Sequence, residues 1–343
     1  MKTFASLFSG GGGADIGALQ AGFQPIWGIE IERMVGEVYA ANIKNQPIVK
    51  SIAQINPKNL EKPDLLWASP PCQAFSVARN KKLAPHSDAD LGLAVIPFIE
   101  VLQPQAFILE NVEGYGRSKV FYAIIDTLHK LGYWTQWEVV NAADFGVPQT
   151  RRRLILRAVK DGFIPLLTPV QKWRGWYEAI ADLIPSLKPT QLAPWQLKRL
   201  PSGLLDSFLI DSKNADPNGK PTIRFESQPI FTICAAIAKG LPKAVLIERA
   251  GTRHKGLTLR TSEQPAWTIK ASITSDGKGS DRNAFIDALV EGQVLSLNIR
   301  ALARLQTFPD WYSFPQSTAL AGQIIGNAVP PLLAKLLILN MFY

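Results

Sequence analysis

Two cysteines, Cys72 and Cys234, are all the thiol chemistry that 343 residues contain. So few exclude a disulfide framework. Three histidines, His86, His129 and His254, are too scattered for metal-ligand spacing, so no metal centre is expected. Long apolar runs are missing as well. The stretch 4–8 is cut by Gly10, Gly11, Gly12, Gly13 and Asp15 before an apolar region of secretory-signal length develops. Residues 329–343 carry Pro330, Pro331, Lys335 and Asn340 and are too short to cross a bilayer. These shortages lead us to expect a reduced, metal-free, cytoplasmic protein without a membrane anchor.

What is present is apolar mass and an uneven charge. Hydrophobic residues make up 47% of the chain, enough for a large core in one big or two modest domains. The net charge is +9, and residues 151–290 hold 22 Lys and Arg against 12 Asp and Glu, which leaves 15 against 16 for the two flanks together. The positive excess belongs to the middle. A cationic segment in a near-neutral scaffold suits a polyanion such as nucleic acid, because phosphate contacts dominate non-specific affinity. A merely soluble basic surface has the same composition.

Over the first 160 residues or so, short apolar runs at 3–8, 25–29, 64–68, 106–109, 134–140 and 153–159 predict strands. Helical periodicities at 14–20, 35–41, 96–102 and 120–131 fall between them. This alternation predicts an α/β fold with a doubly wound, mostly parallel sheet and ligands at the carboxyl ends of its strands. Farther on, Pro, Gly, Trp and short polar stretches predict an irregular, loop-rich inserted module. Inside it a stretch beginning at Thr222 recurs 36 residues later from Thr258, with Arg224 and Arg260, Gln228 and Gln264, Pro229 and Pro265, and Thr232 and Thr268 coinciding. Two copies make no solenoid; they read as two similar strand-and-turn units, or as shared turn chemistry.

Four constellations carry chemistry. Ser69-Pro70-Pro71-Cys72 follows an apolar strand, and the Pro pair fixes the backbone so that the thiol is held out on a stiff loop, as a covalent nucleophile requires. Taken alone, Cys72 reads more readily as an inert, half-buried cysteine after a turn. Phe8-Ser9-Gly10-Gly11-Gly12-Gly13 links the first strand to a helix and lets backbone approach a ligand; Glu30, closing the second strand, can accept both hydroxyls of a ribose. That pair indicates an adenosine-type cofactor without saying which. Glu110-Asn111-Val112 places a carboxylate at the sheet edge that bears Cys72, making Glu110 a candidate general acid. In Gln149-Thr150-Arg151-Arg152-Arg153, alternation sends Arg151 and Arg153 to one face, where guanidiniums can lower a thiol pKa or hold a carbonyl oxygen.

With Arg304-Leu305-Gln306-Thr307-Phe308-Pro309 and Gly326-Asn327-Ala328-Val329-Pro330 behind them, these motifs stand in the order and spacing of the DNA cytosine-5 methyltransferases, and the chain resembles that family along nearly its whole length. The resemblance implies a seven-stranded, Rossmann-like sheet and S-adenosylmethionine as cofactor, with no metal. It implies methyl transfer to C5 of a flipped-out cytosine in duplex DNA through an adduct of Cys72 at C6. Glu110 would act at N3 and N4 of the base, Arg153 at O2, and Arg151 in positioning. Cofactor contacts would come from Phe8, Ser9, Gly10, Gly11, Gly13, Glu30, Ile31, Ser51, Ile52, Ser69, Pro71, Asn327 and Val329. A mobile loop at 79–90, with Lys81, Lys82, His86 and Ser87, would close over the DNA.

The catalytic domain would be discontinuous, residues 1–160 plus 292–343, around a target-recognition domain at 161–291. DNA would be met by Gln73, Ser76 and Arg79 near the nucleophile and by Arg249, Arg253, His254 and Lys255 in the middle, although these last four are equally a solvated charge cluster. The expected form is a monomer of the bacterial or phage type, compatible with a restriction endonuclease that acts independently. Two departures stand out. Lys50-Ser51-Ile52 has a serine where the family has an acidic residue that contacts the adenine amine, and Ala301 occupies a position often held by Glu. Other readings are a transfer-RNA-methylating relative, whose Cys-Phe-Thr tripeptide is absent, a dinucleotide oxidoreductase, and a non-catalytic DNA-binding relic.

Overall fold

The computed structural model describes residues 1–71, 91–170, 172–189, 208–215, 221–225, 244–248, 258–269, 286–290 and 293–342. Its main sheet has seven strands: β1 (Thr3–Leu7), β2 (Gln24–Glu30), β3 (Ile48–Val49), β4 (Leu65–Ala68), β5 (Ala106–Asn111), β6 (Trp134–Asn141) and β7 (Arg152–Val159). Their order is β3-β2-β1-β4-β5-β7-β6, and β7 alone runs antiparallel to its neighbours. Helices α1 (Gly13–Gln20), α2 (Arg33–Ile43), α3 (Ile96–Leu102) and α4 (Lys119–Lys130) connect the strands. Every residue of β4 and β5 is buried, as expected for strands covered on both faces. α4 turns Val120, Phe121, Ile124, Ile125 and Leu128 inward and is capped by Ser118, whose side chain accepts from the Phe121 N–H.

The predicted α/β class and strand rhythm hold, with differences at the ends of elements. β1 stops at Leu7 because Phe8 takes φ +60°, in the left-handed region where the chain turns. β5 runs two residues past its apolar run, since Glu110 and Asn111 pair with Ile155 and Leu154 of β7. β3, two residues long, has no periodicity to betray it.

After β7 come α5 (Trp176–Ile180) and a second sheet more regular than its Pro and Gly content suggests. β8 (Lys188–Pro189), β11 (Ala244–Glu248), β12 (Thr258–Thr261), β13 (Ile286–Val290) and β14 (Gln293–Ser296) pair in the order β12-β11-β13-β14-β8, while β9 (Phe208–Ala215) and β10 (Pro221–Phe225) form a separate ribbon. The two similar sequence units both open on a strand, β10 and β12, but in different sheets. Trp176, fully buried, donates its indole N–H to the Thr261 carbonyl at 2.7 Å and so ties α5 to β12. Arg304 bridges Asp182 at 2.5 Å and Asp310 at 2.7 Å, joining this segment to the C-terminal helices.

Those helices are α6 (Ile299–Leu305), α7 (Thr318–Asn327) and α8 (Pro331–Phe342). The stretch Thr318–Phe342 is long and apolar enough to span a membrane by composition, yet Leu333, Ala334, Leu337 and Ile338 are fully buried in the core beside Phe4, Ala18 and Leu65. α8 lies against α1 with no room for a side chain: a Cβ on Gly17 would sit 2.6 Å from the Ala334 Cβ and from the Pro331 carbonyl oxygen. Beneath the glycine loop, the fully buried Asp15 accepts from Ser6 Oγ at 2.9 Å and from Tyr39 OH at 2.7 Å, both on Oδ1, while Oδ2 has no partner. Burial raises its pKa to about 7 against the opposing pull of the two hydroxyls.

Two outcomes follow for stability. Gly17→Ala will destabilise the fold by about 1–3 kcal/mol in urea denaturation, because backbone rather than a flexible side chain must yield. Asp15 prefers its neutral form in the fold, so its contribution is full below the unfolded carboxyl pKa and is lost as pH rises toward 7. The stability of wild type relative to Asp15→Asn will therefore fall by roughly 4 kcal/mol between about pH 4 and pH 7, at ~1.4 kcal/mol per pKa unit, and stay level above.

Candidate active site

The carboxyl ends of β1, β2, β4 and β5 open on one side of the sheet. From β4 the chain enters Ser69-Pro70-Pro71, where the Ser69 N–H donates to the Leu7 carbonyl at 3.3 Å and Trp67 donates its indole N–H to Ser69 Oγ at 3.0 Å. Asn111, at the end of β5 and 3% exposed, donates its side-chain amide to the Pro70 carbonyl at 3.0 Å. That bond fixes the Pro-Pro loop beside Glu110. Sequence reading passed over Asn111; the signal was its place directly after the candidate acid. Cys72, Gln73, Ser76 and Arg79, with the rest of the loop expected to close, lie outside the described residues.

Glu110 and Arg153, given separate roles from sequence, are in direct contact. The β5–β7 register brings the Arg153 Nε to 2.9 Å from a Glu110 carboxylate oxygen, with the side chains 15% and 7% exposed. A nearly dry, charge-assisted pair of this kind fixes the carboxylate's orientation. Arg152 points the other way, exposed, to Glu113 at 3.2 Å. Arg151 shares the inward side but not the destination: 2% exposed, it donates to the carbonyls of Gly326 at 3.1 Å and Ile269 at 3.4 Å. Its reach is toward the C-terminal loop, whereas Arg153 serves Glu110.

The glycine loop is shaped by positive φ at Phe8, Gly10 and Gly12 (+60°, +54° and +84°). Ser9 donates its backbone N–H to the Ile29 carbonyl at 2.9 Å, and the Gly10 N–H reaches the Glu30 carboxylate at 2.9 Å. The other carboxylate oxygen of Glu30 accepts from the N–H groups of Ile31 and Glu32, at 2.8 and 2.9 Å. Burial raises the Glu30 pKa, and those three donors hold it back. Lys50 donates its N–H to the Glu30 carbonyl at 3.1 Å, which brings Ser51 to the same edge; Ile52 is buried in the core at 3%. Exposed apolar side chains gather here, namely Ile31 with Met34 and Val49, the last two not singled out from sequence.

On the far side of the loop, Tyr312 donates its hydroxyl to the Gly11 carbonyl at 2.7 Å, and a Cβ on Gly13 would lie 2.5 Å from the Val329 carbonyl oxygen. Asn327 is exposed and Val329 buried. The space that a Cβ on Gly10 would enter is open to 4 Å. A backbone cradle with room above it, a fixed carboxylate at the next strand end and an apolar patch beside that carboxylate fit an adenosine-bearing cofactor. Arg249, Arg253, His254 and Lys255 lie outside the described residues, as does Cys234. In the second sequence unit Arg260 lies over the Trp267 ring at 5.4 Å, and Gln264 closes the turn by accepting from the Thr261 N–H at 3.0 Å.

The chain is similar to known methyltransferases. The type II methyltransferase M1.HphI of Haemophilus parahaemolyticus is 28% identical over 345 residues, covering 97% of this chain and 84% of that protein. M.AplI of Arthrospira platensis is 30% identical over 336 residues, with 96% and 82% covered. Among solved structures, the Entamoeba histolytica methyltransferase EhMeth superimposes with a TM-score of 0.65 at 16% identity, over 100% of this chain and 98% of that one. A mutant of Spodoptera frugiperda DNMT2 does so at 0.64 and 17%, covering both chains fully; these two likenesses speak to the fold alone. The family model for C-5 cytosine-specific DNA methylases matches residues 2–342, so the chain belongs to that family and is a DNA cytosine-5 methyltransferase.

Proposed function

We propose that the chain methylates C5 of a flipped-out cytosine in a specific duplex DNA sequence, through a covalent bond from Cys72 to C6. The observation that carries this reading is the preformed Glu110–Arg153 pair, held beside the Pro-Pro loop by Asn111. Cytosine C5 is a weak nucleophile, and addition of a thiolate to C6 makes it an enamine carbon. Glu110 protonates N3 as that bond forms, so negative charge does not accumulate on the ring. Arg153, within reach of the same carboxylate, holds O2. Once C5 carries the methyl group, a base takes the C5 proton, Glu110 recovers its proton from N3, and the Cys72 thiolate leaves as the C5–C6 double bond returns. The target base must leave the helix for this, since stacking hides its reactive face.

The cofactor would be S-adenosylmethionine, which when bound supplies an electrophilic methyl group on its sulfonium. Glu30 would hold the ribose hydroxyls; the Gly10, Gly11 and Gly13 backbone and Ser9 would line the methionine side, with Asn327 and Val329 opposite. Phe8, Ile31, Ser51 and Ile52 would surround the adenine, and Ser69 and Pro71 would close the site toward the nucleophile. Residues 1–160 and 292–343 would form the catalytic domain and the basic segment 161–291 the DNA-recognition domain, with Lys and Arg on phosphates and a few loop side chains, Arg249, Arg253, His254 and Lys255 among them, on base edges. We place the protein in the cytoplasm as a monomer, alone or alongside a restriction endonuclease.

Cys72→Ser will abolish transfer of labelled methyl groups to DNA while S-adenosylhomocysteine affinity stays within about threefold. Duplex DNA with 5-fluorocytosine at the modified site, found by bisulfite sequencing of plasmid from expressing cells, will stay attached to wild type through Cys72; transfer by the serine variant would end the covalent reading. Ser51→Asp will tighten cofactor binding by about fivefold, because an ionised acceptor holds the adenine amine more strongly than a hydroxyl does. An unchanged or weaker dissociation constant in calorimetry would remove Ser51 from the adenine site.

A further inference from the structure

Ile269 heads two buried polar branches, and both end beside Asn327. In the first, the Ile269 N–H donates to Gln149 Oε1 at 3.1 Å, Gln149 Nε2 donates to Gln306 Oε1 at 2.5 Å, and Gln306 Nε2 donates to the Ala328 carbonyl at 2.7 Å. In the second, Arg151 joins the Ile269 carbonyl at 3.4 Å to the Gly326 carbonyl at 3.1 Å. Gln149 and Gln306 are fully buried and Arg151 is 2% exposed. Asn327 itself is exposed, held between two anchored carbonyls.

The segment that contains Ile269 is part of the basic middle, and it is seated on the approach to β7 by further bonds. The Thr150 N–H donates to the Ala266 carbonyl at 2.7 Å, the Ala266 N–H to the Pro148 carbonyl at 2.9 Å, and Thr268 Oγ1 to the Thr150 carbonyl at 2.6 Å. Gln149 Nε2 also donates to the Leu305 carbonyl at 3.4 Å, but Gln149 Oε1 and Gln306 Nε2 keep these partners only while Ile269 and Ala328 are in place, and neither buried amide can turn to water. Displacing Ile269 would strand a buried acceptor unless Gln149 and Gln306 follow, and their movement carries Ala328 with it. The seat of the middle segment and the shape of the Asn327 loop are thus one mechanical unit.

We propose that Gln149 and Gln306, with Arg151, are positioning residues that couple DNA engagement by the middle segment to cofactor binding at the Asn327 loop, each ligand raising the affinity for the other. This rests on the functional reading above, which puts DNA at one end of the branches and the cofactor at the other. Coupling between two sites is reciprocal, so one factor describes both directions.

The test measures S-adenosylhomocysteine affinity by calorimetry with and without saturating, sheared, unmethylated duplex DNA, and DNA affinity by fluorescence anisotropy with and without S-adenosylhomocysteine. Wild type will show about tenfold tightening in each direction, within the usual range for such coupling. In Gln306→Met and in Gln149→Met the factor will drop below about twofold while each ligand alone binds within about threefold of wild type. The double variant will lose no more than either single one, since one missing link already opens the branch. A tenfold factor retained in Gln306→Met, or wild type that binds both ligands without coupling, overturns the linkage and leaves the enzyme reading intact. Wild type that binds neither ligand overturns the functional reading and the linkage with it. Should the variants not fold, hydrogen exchange on wild type decides: S-adenosylhomocysteine alone will slow exchange of the Ile269 amide, and an unchanged rate refutes the coupling.

Discussion

β7 enters an otherwise parallel sheet antiparallel to β5 and β6, and the site depends on the register in which it does so. Opposite β5 it sets Ile155 against Glu110 and brings the Arg153 guanidinium onto the Glu110 carboxylate at 2.9 Å. Just before the strand, Gln149 and Arg151 extend away from β5 into the C-terminal helices and the middle segment. Toward its other end, the buried Arg157 reaches Glu138 and Gln136 on β6, the Pro165 carbonyl, and Asn340 on α8. Slipping β7 by one residue would turn every side chain to the opposite face and undo all three sets of contacts together.

This register also explains what the sequence could and could not disclose. Apolar runs reveal that strands exist, because a strand covered on both faces must be hydrophobic along its length. They carry no direction, so nothing in the 152–159 stretch announces that it runs against its neighbours. Glu110 and Asn111 look like loop residues by propensity and became the end of β5 only because β7 supplies partners. Alternation foretold that Arg151 and Arg153 would share the inward side, but a period of two is silent on what each meets there. The motifs at the sheet edge were legible because glycine, paired prolines and isolated carboxylates are local signals. The middle strands were not, since Ala244–Glu248 and Ile286–Val290 are short and set among Pro, Gly and polar residues.

Most of the buried polar side chains among the described residues join segments far apart in the chain. Asn111 reaches Pro70, Asn42 reaches Ser313, Tyr312 reaches Gly11, and Gln149 reaches Gln306, with separations from 41 to 301 residues. Apolar contacts are non-directional and tolerate sliding, so a core of Leu, Ile and Phe can draw α8 onto α1 without deciding where Gly326 and Ala328 come to rest. A buried amide is different, because misplacement leaves it unpaired at a cost of about 1–3 kcal/mol. The polar set therefore selects one arrangement from the many that the apolar core would accept.

The same reasoning separates two kinds of buried charge in this molecule. Glu110 is nearly dry yet in contact with Arg153 at 2.9 Å, so the pair can face an incoming base with a defined orientation. Asp15 is drier still and has only hydroxyl donors on one oxygen, which leaves the neutral acid favoured up to about pH 7. A neutral Asp15 adds no field under the glycine loop, whereas Glu30, held by three backbone N–H groups at the next strand end, presents its carboxylate where a ligand can reach it. Two carboxyl groups close to one loop thus differ in what they offer because their donors differ. That difference lets the loop offer backbone donors to an anionic ligand group on one side and a carboxylate acceptor to hydroxyls on the other.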